Sequence, residues 1–151
     1  MEAGQKILIA VNDSESAMRA VRYVGEMIGC KAGLDLCILH IYPPPPPFFY
    51  QEGGNLDTYR KEQEEISQKI FTKAANILEE YGIPVSSVAT RCQLATGGTI
   101  SQTILDVREA GDYGTVVVGR RGVSKAEEFL FGSISSAMVH RCDHFAVWVV
   151  R

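Results

Sequence analysis

The amino-acid sequence predicts an α/β fold in which a parallel sheet is covered by helices on both faces. Three observations carry this expectation. Short unbroken apolar runs, such as Ile7-Leu8-Ile9-Ala10-Val11, have the composition of strands buried on both sides. Between such runs the apolar residues recur at three- and four-residue spacing, which draws one stripe along a helix. The two kinds of segment alternate, and strands alternating with helices imply right-handed crossovers onto a parallel sheet.

The first strand, Ile7 to Val11, runs into Asn12-Asp13-Ser14, a cluster of helix-capping residues. Ala17, Ala20, Val21, Val24, Met27 and Ile28 then mark a helix that stops at Gly29. Leu34 to Ile41 reads as the second strand, and Ile66, Ile70, Ala74, Ile77, Leu78 and Tyr81 mark a long second helix closed by Gly82 and Pro84. Val88 to Cys92 is a third strand of weaker signal, followed by a helix that carries Ile100, Ile104 and Val107 and ends near Gly111. Thr115 to Val118 is the fourth strand, Ile134, Ala137 and Met138 give the last helix its apolar face, and Ala146 to Val150 is the fifth strand.

A length of 151 residues and a formal net charge of -3 fit one globular domain over 1–151 with its own core. The chain opens without the basic and apolar run of a signal peptide, and no stretch approaches the ~18 apolar residues of a membrane span, so a cytoplasmic protein is expected. Cys30, Cys37, Cys92 and Cys142 are scattered without a Cys-x-x-Cys pair, which suggests reduced thiols rather than a zinc site or disulfide framework. The slight excess of carboxylates argues against the clustered basic surface that nucleic acid requires.

The chemistry concentrates after the fourth strand, in the stretch from Gly119 to Ser133. In an open parallel sheet, ligands bind beyond the carboxyl ends of the strands where the strand order reverses. Glycines there can adopt backbone angles closed to other residues and admit a ligand close to the main chain. Gly132-Ser133 stands at the start of the last helix, where free N–H groups and the helix dipole favour an anion, a phosphate above all. The two standard phosphate fingerprints are absent, and the pattern is instead G-x2-G-x9-G-S, with glycines at 119, 122 and 132.

This motif resembles that of the nucleotide-binding members of the universal stress protein family, and its flanks agree. Ile7-Leu8-Ile9-Ala10-Val11 resembles the family's opening strand, Leu39-His40-Ile41 the end of its second, and Phe129-Leu130-Phe131-Gly132-Ser133-Ile134-Ser135 the start of its last helix. The resemblance implies a Rossmann-like domain with a five-stranded sheet of order 3-2-1-4-5, binding ATP or a related adenine nucleotide at the ends of strands one and four. Ala10, Val11 and Asn12 would then border the adenosine, and the main chain of Ile41 would meet the adenine edge. Gly119, Arg120, Arg121 and Gly122 would wrap the ribose and phosphates, with Gly132, Ser133 and Ile134 holding the phosphate tail. Where the family usually has Asp after the first strand, this chain has Asn12, and the carboxylate moves to Asp13, the candidate ligand for Mg2+. Before the last strand, where many members have a Cys-Pro or similar pair, it reads Phe145-Ala146.

Plainer readings of these residues stand beside the functional ones. The glycines would equally serve a tight turn and close helix packing. Arg120 and Arg121 would equally be a solvated pair, although a guanidinium fork suits phosphate, and Ser133 is an ordinary helix cap. His40 reads as a satisfied structural histidine, and His140 and His144 lack metal-ligand spacing. Pro43 to Pro47, followed by Phe48-Phe49-Tyr50, enforces a stiff extended segment beside aromatics that ask to be covered. It reads as a rigid connector, or as a cover for the nucleotide or a contact with a second subunit, with Gly53-Gly54 as its hinge.

The expected function is that of an ATP-binding regulatory or stress-response protein, acting as a homodimer on a regulatory partner that the sequence does not name. Ala146-Val147-Trp148-Val149-Val150 is apolar throughout and, in the implied strand order, lies at a sheet edge that a two-fold-related copy would cover. The alternatives are a slow ATP hydrolase, for which Glu127 and Glu128 are the candidate bases, and a dimerisation module that binds AMP or nothing.

Overall fold

In a computed structural model of the chain, residues 5–29, 31, 33–95, 99–120 and 134–151 are described. The elements follow in the expected alternation: β1 (Lys6–Val11), α1 (Glu15–Ile28), β2 (Asp35–Tyr42), α2 (Leu56–Glu80), β3 (Val88–Leu94), α3 (Ile100–Gly111) and β4 (Thr115–Gly119). A helix over 134–140, here α4, and β5 (Ala146–Val150) complete it. All strand pairs are parallel and the sheet order is β3-β2-β1-β4-β5, the order that the family resemblance implies.

Alternate strand residues feed two cores. On one face Ile7, Ile9 and Val11 meet α1 and α2, through Val21 and Val24 of the first helix and Phe71 and Leu78 of the second. On the other face Leu8, Ala10 and Leu39 meet Ile104 of α3 and Ile134 and Met138 of α4. Helices α1, α2 and α3 each start where the sequence supplies a side-chain oxygen for a free N–H. Ser14 Oγ accepts from the Ala17 N–H at 3.0 Å, Asn55 Oδ1 from Thr58 at 2.9 Å, and Thr99 Oγ1 from Gln102 at 3.1 Å.

One expectation on the helices is corrected. Met27 and Ile66, read as stripe residues, are 52% and 45% exposed, because each flanks the buried stripe rather than lying on it. Helix α2 also starts well before Ile66, at Leu56, and its early turns are charged, with Tyr59 buried among them. The core position beside Ile66 falls to Ser67, which is fully buried. Its Oγ lies 2.6 Å from His40 Nδ1 and 3.0 Å from Cys92 Sγ, so a short polar chain crosses from β2 through α2 to β3. His40 is thereby a satisfied structural histidine. Burial lowers its pKa from the usual 6.5, opposed by the Asp13 carboxylate.

The segment after β2 is folded rather than open. The Tyr59 hydroxyl donates to the Pro43 carbonyl at 2.6 Å, and the Phe49 ring packs edge-on against Tyr59 at 5.3 Å between centroids. A Cβ on Gly54 would come within 2.7 Å of three carbons of the Phe49 ring, so a side chain there would push the ring from its place. Cys37, Cys92 and Cys142 are free thiols, and Cys30 lies outside the described residues. Among the described residues, no helix is long and apolar enough to cross a membrane.

Candidate functional site

The sheet order places a switch point between β1 and β4. From β1 the chain leaves into α1 on one face, whereas α4, which follows β4, packs on the other. Helices on opposite faces after neighbouring strands mark the place where open α/β sheets bind ligands. The strands end in steps. Val11 lies opposite His40, so Ile41 and Tyr42 extend past the last paired residue of β1. Ala10 lies opposite Val118, so Gly119 likewise outruns the β1 pairing.

The structure brings Ala10, Val11, Asn12, Asp13, Ile41, Gly119 and Arg120 to this end of the sheet. Ala10, Val11 and Ile41 are buried, with their side chains in the cores. Ile134 is also a core residue, 2% exposed against the second face. The Arg120 N–H donates to the Val150 carbonyl at 2.7 Å, and the residue is exposed. Arg121, Gly122, Gly132 and Ser133 lie outside the described residues, as do Glu127 and Glu128.

Asn12 has an unusual electrostatic setting. It is 8% exposed, and its Oδ1 accepts from the Ser14 hydroxyl at 2.5 Å. That bond fixes the amide, since the same Ser14 oxygen caps α1. The Nδ2 group is buried with no hydrogen-bond partner among the described residues. An orphaned buried donor costs about 1–3 kcal/mol, so an acceptor arriving at the switch point would find a prepaid partner. Asp13 stands differently: its carboxylate lies 3.8 Å from Lys73 Nζ with the side chain 72% exposed, a surface pair of small energetic weight. Among the described residues, no cluster of three metal-ligating side chains exists.

Gly119 requires a revised account. The sequence suggests backbone freedom, but its φ lies outside the left-handed region. What excludes a side chain is space. A Cβ there would stand 2.7 Å from Ser16 Oγ, 2.8 Å from the Ser16 carbonyl oxygen and 2.9 Å from its carbon. The first turn of α1 is packed directly on the end of β4. Sequence reasoning missed Ser14 and Ser16 as parts of this site. The signal for Ser14 was present in the capping cluster, whereas the role of Ser16 depends on a contact across the sheet.

The fold recurs in solved structures. A universal stress protein crystallised in complex with cAMP superposes with a TM-score of 0.70 at 19% identity, over 99% of each chain. UspA from Lactobacillus plantarum gives 0.73 at 17%, over 100% of this chain and 99% of that one. The universal stress protein from Archaeoglobus fulgidus in complex with dAMP gives 0.62 at 18%, over 99% and 100%. At these identities the likeness is one of fold. No curated protein sequence matches the chain. The family model of the universal stress protein family matches residues 4–151, and the chain therefore belongs to that family.

Proposed function

We propose that this chain is an adenine-nucleotide-binding regulatory protein whose ligand sits at the switch point between the ends of β1 and β4. The observation that carries the reading is the buried Nδ2 of Asn12 at that switch point, which has no partner among the described residues. Relatives of the same fold crystallised with cAMP and with dAMP support an adenine nucleotide. The proposed ligand is ATP, accompanied by Mg2+. In this reading the main chain of Ala10, Val11 and Ile41 borders the adenosine and Asn12 donates to an oxygen of the nucleotide. Gly119, Arg120, Arg121 and Gly122 surround the ribose and phosphates, and Gly132, Ser133 and Ile134 receive the phosphate tail. Asp13 contributes to Mg2+ through its exposed carboxylate. The chain acts in the cytoplasm as a single domain and dimerises through β5, an edge strand with Ala146 and Val149 exposed, so that nucleotide state is read by a regulatory partner in a stress response.

The test is calorimetry of the purified protein with ATP, with and without Mg2+, alongside chromatography of any nucleotide released on denaturation. ATP is expected to bind, and Asn12→Ala to weaken it about tenfold, the worth of one hydrogen bond of about 1.4 kcal/mol. Absence of heat with any adenine nucleotide at millimolar concentration refutes the reading. Undiminished affinity in the Asn12→Ala protein removes Asn12 from the site.

A further inference from the structure

Five consecutive prolines, Pro43 to Pro47, leave the end of β2. Each of Pro43 to Pro46 precedes another proline, which confines it to extended backbone, and its own ring fixes φ near -65°. No peptide bond among the described residues is cis. The segment is therefore a left-handed polyproline II rod, with three residues per turn. Burial follows that period. Tyr42 is buried and Pro45 half-buried on the inward face, while Pro43 with Pro46, and Pro44 with Pro47, form two exposed ridges.

The rod is held at both ends. Tyr59 donates to the Pro43 carbonyl, and the Phe49 N–H donates to the Pro46 carbonyl at 2.9 Å, closing a β-turn with Pro47 at its second position. Among the described residues, no group donates to the carbonyls of Pro44 or Pro45. Phe48 and Tyr50, 55% and 58% exposed, extend the apolar surface beyond the turn. A connector needs neither two ridges in Pro-x-x-Pro register nor free carbonyls between them. Polyproline II ligands bind by laying such ridges into aromatic-lined grooves, and a rod already fixed loses little entropy on docking.

We propose that Pro43 to Pro47 is a docking site for a protein module with an aromatic-lined, polyproline-reading groove. The partner grips the Pro43/Pro46 and Pro44/Pro47 ridges and donates from aromatic N–H or O–H groups to the free carbonyls. No Lys or Arg occurs between Lys31 and Arg60 in the sequence, so the groove is selected by apolar shape rather than by an acidic pocket. This surface is independent of the nucleotide reading.

The experiment titrates an isotope-labelled WW domain that binds uninterrupted proline runs with the full-length chain, followed by NMR. The groove aromatics should shift saturably, and an oligoproline peptide should displace the chain. The Pro44→Ala/Pro46→Ala variant should bind at least about tenfold more weakly, with an unchanged melting temperature. No saturable shift up to about 1 mM chain, or no competition by oligoproline, overturns the proposal. So does binding that survives the proline changes but is lost in Phe48→Ser/Tyr50→Ser, which would assign it to the exposed aromatics. A changed oligomeric state in the proline variant would make a second copy the occupant, and would equally overturn it.

Discussion

Gly119→Ala tests whether packing or ligand approach demands the glycine at the end of β4. The added methyl would meet Ser16 Oγ, the Ser16 carbonyl oxygen and its carbon at 2.7, 2.8 and 2.9 Å. Comfortable contacts of carbon lie at about 3.5–4.0 Å. The hydroxyl can rotate away, but the carbonyl group belongs to the first turn of α1. That turn is fixed by the Ala17 N–H on Ser14 Oγ at 3.0 Å and the Met18 N–H on the Ser14 carbonyl at 3.1 Å. Either α1 or the end of β4 must shift, and overpacking of this kind costs about 1–3 kcal/mol. For a domain of this size each kcal/mol lowers the melting temperature by about 2–4 °C, so a fall of roughly 2–12 °C is expected in the absence of nucleotide. Calorimetric melting of the two proteins, followed by titration with ATP, provides the assay. The backbone N–H and C=O of residue 119 survive the change, so some affinity should remain. An unchanged melting temperature together with abolished nucleotide binding would refute the packing account and return the glycine to the ligand.

Two further outcomes follow from the buried histidine and the sheet edge. Because burial lowers the His40 pKa in the folded state, the unfolded chain binds the proton more readily, and stability should fall as pH drops below about 6.5 and through the folded value. The slope from this group is at most about 1.4 kcal/mol per pH unit, and urea midpoints between neutral and mildly acid pH should fall less steeply in His40→Gln; equal slopes would assign the acid sensitivity elsewhere. Val149 is 39% exposed on the edge strand, and Val149→Lys should convert the proposed dimer to a monomer while leaving the melting temperature nearly unchanged, since an edge lysine is a common protection against strand pairing. Light scattering that finds the unmodified chain monomeric at micromolar concentration, or the variant still dimeric, would rule out β5 pairing.

Much of this architecture was legible because β1, β4 and β5 are continuous apolar runs and helices α1, α2 and α3 open on a capping oxygen. The strand order was not in the periodicity at all and came with the family motif. Three features were hidden for a common reason, namely that they depend on which element lies across from a residue. Ser67 reads as a polar interruption until His40 and Cys92 stand opposite it. Gly119 reads as flexible until α1 lies on top of it. Asn12 was visible as a departure from aspartate, but its donor, without a partner among the described residues, became visible only once Ser14 had claimed its oxygen. The charged start of α2 escaped notice because solvent-facing turns carry no apolar period.

The chain from His40 through Ser67 to Cys92 also acts as a key for helix register. Apolar packing resists sliding of α2 on the sheet, and the polar chain adds to that resistance. A displacement of one turn, about 5.4 Å, would carry the Ser67 hydroxyl away from His40 and leave both groups buried and unpaired, at about 1–3 kcal/mol each. Tyr59 lies about two turns upstream on the same helix, and its hydroxyl holds the Pro43 carbonyl. A hydroxyl in the middle of α2 thus sets where the proline rod is anchored at the molecular surface, and loosening the buried seam would release a segment that it never touches.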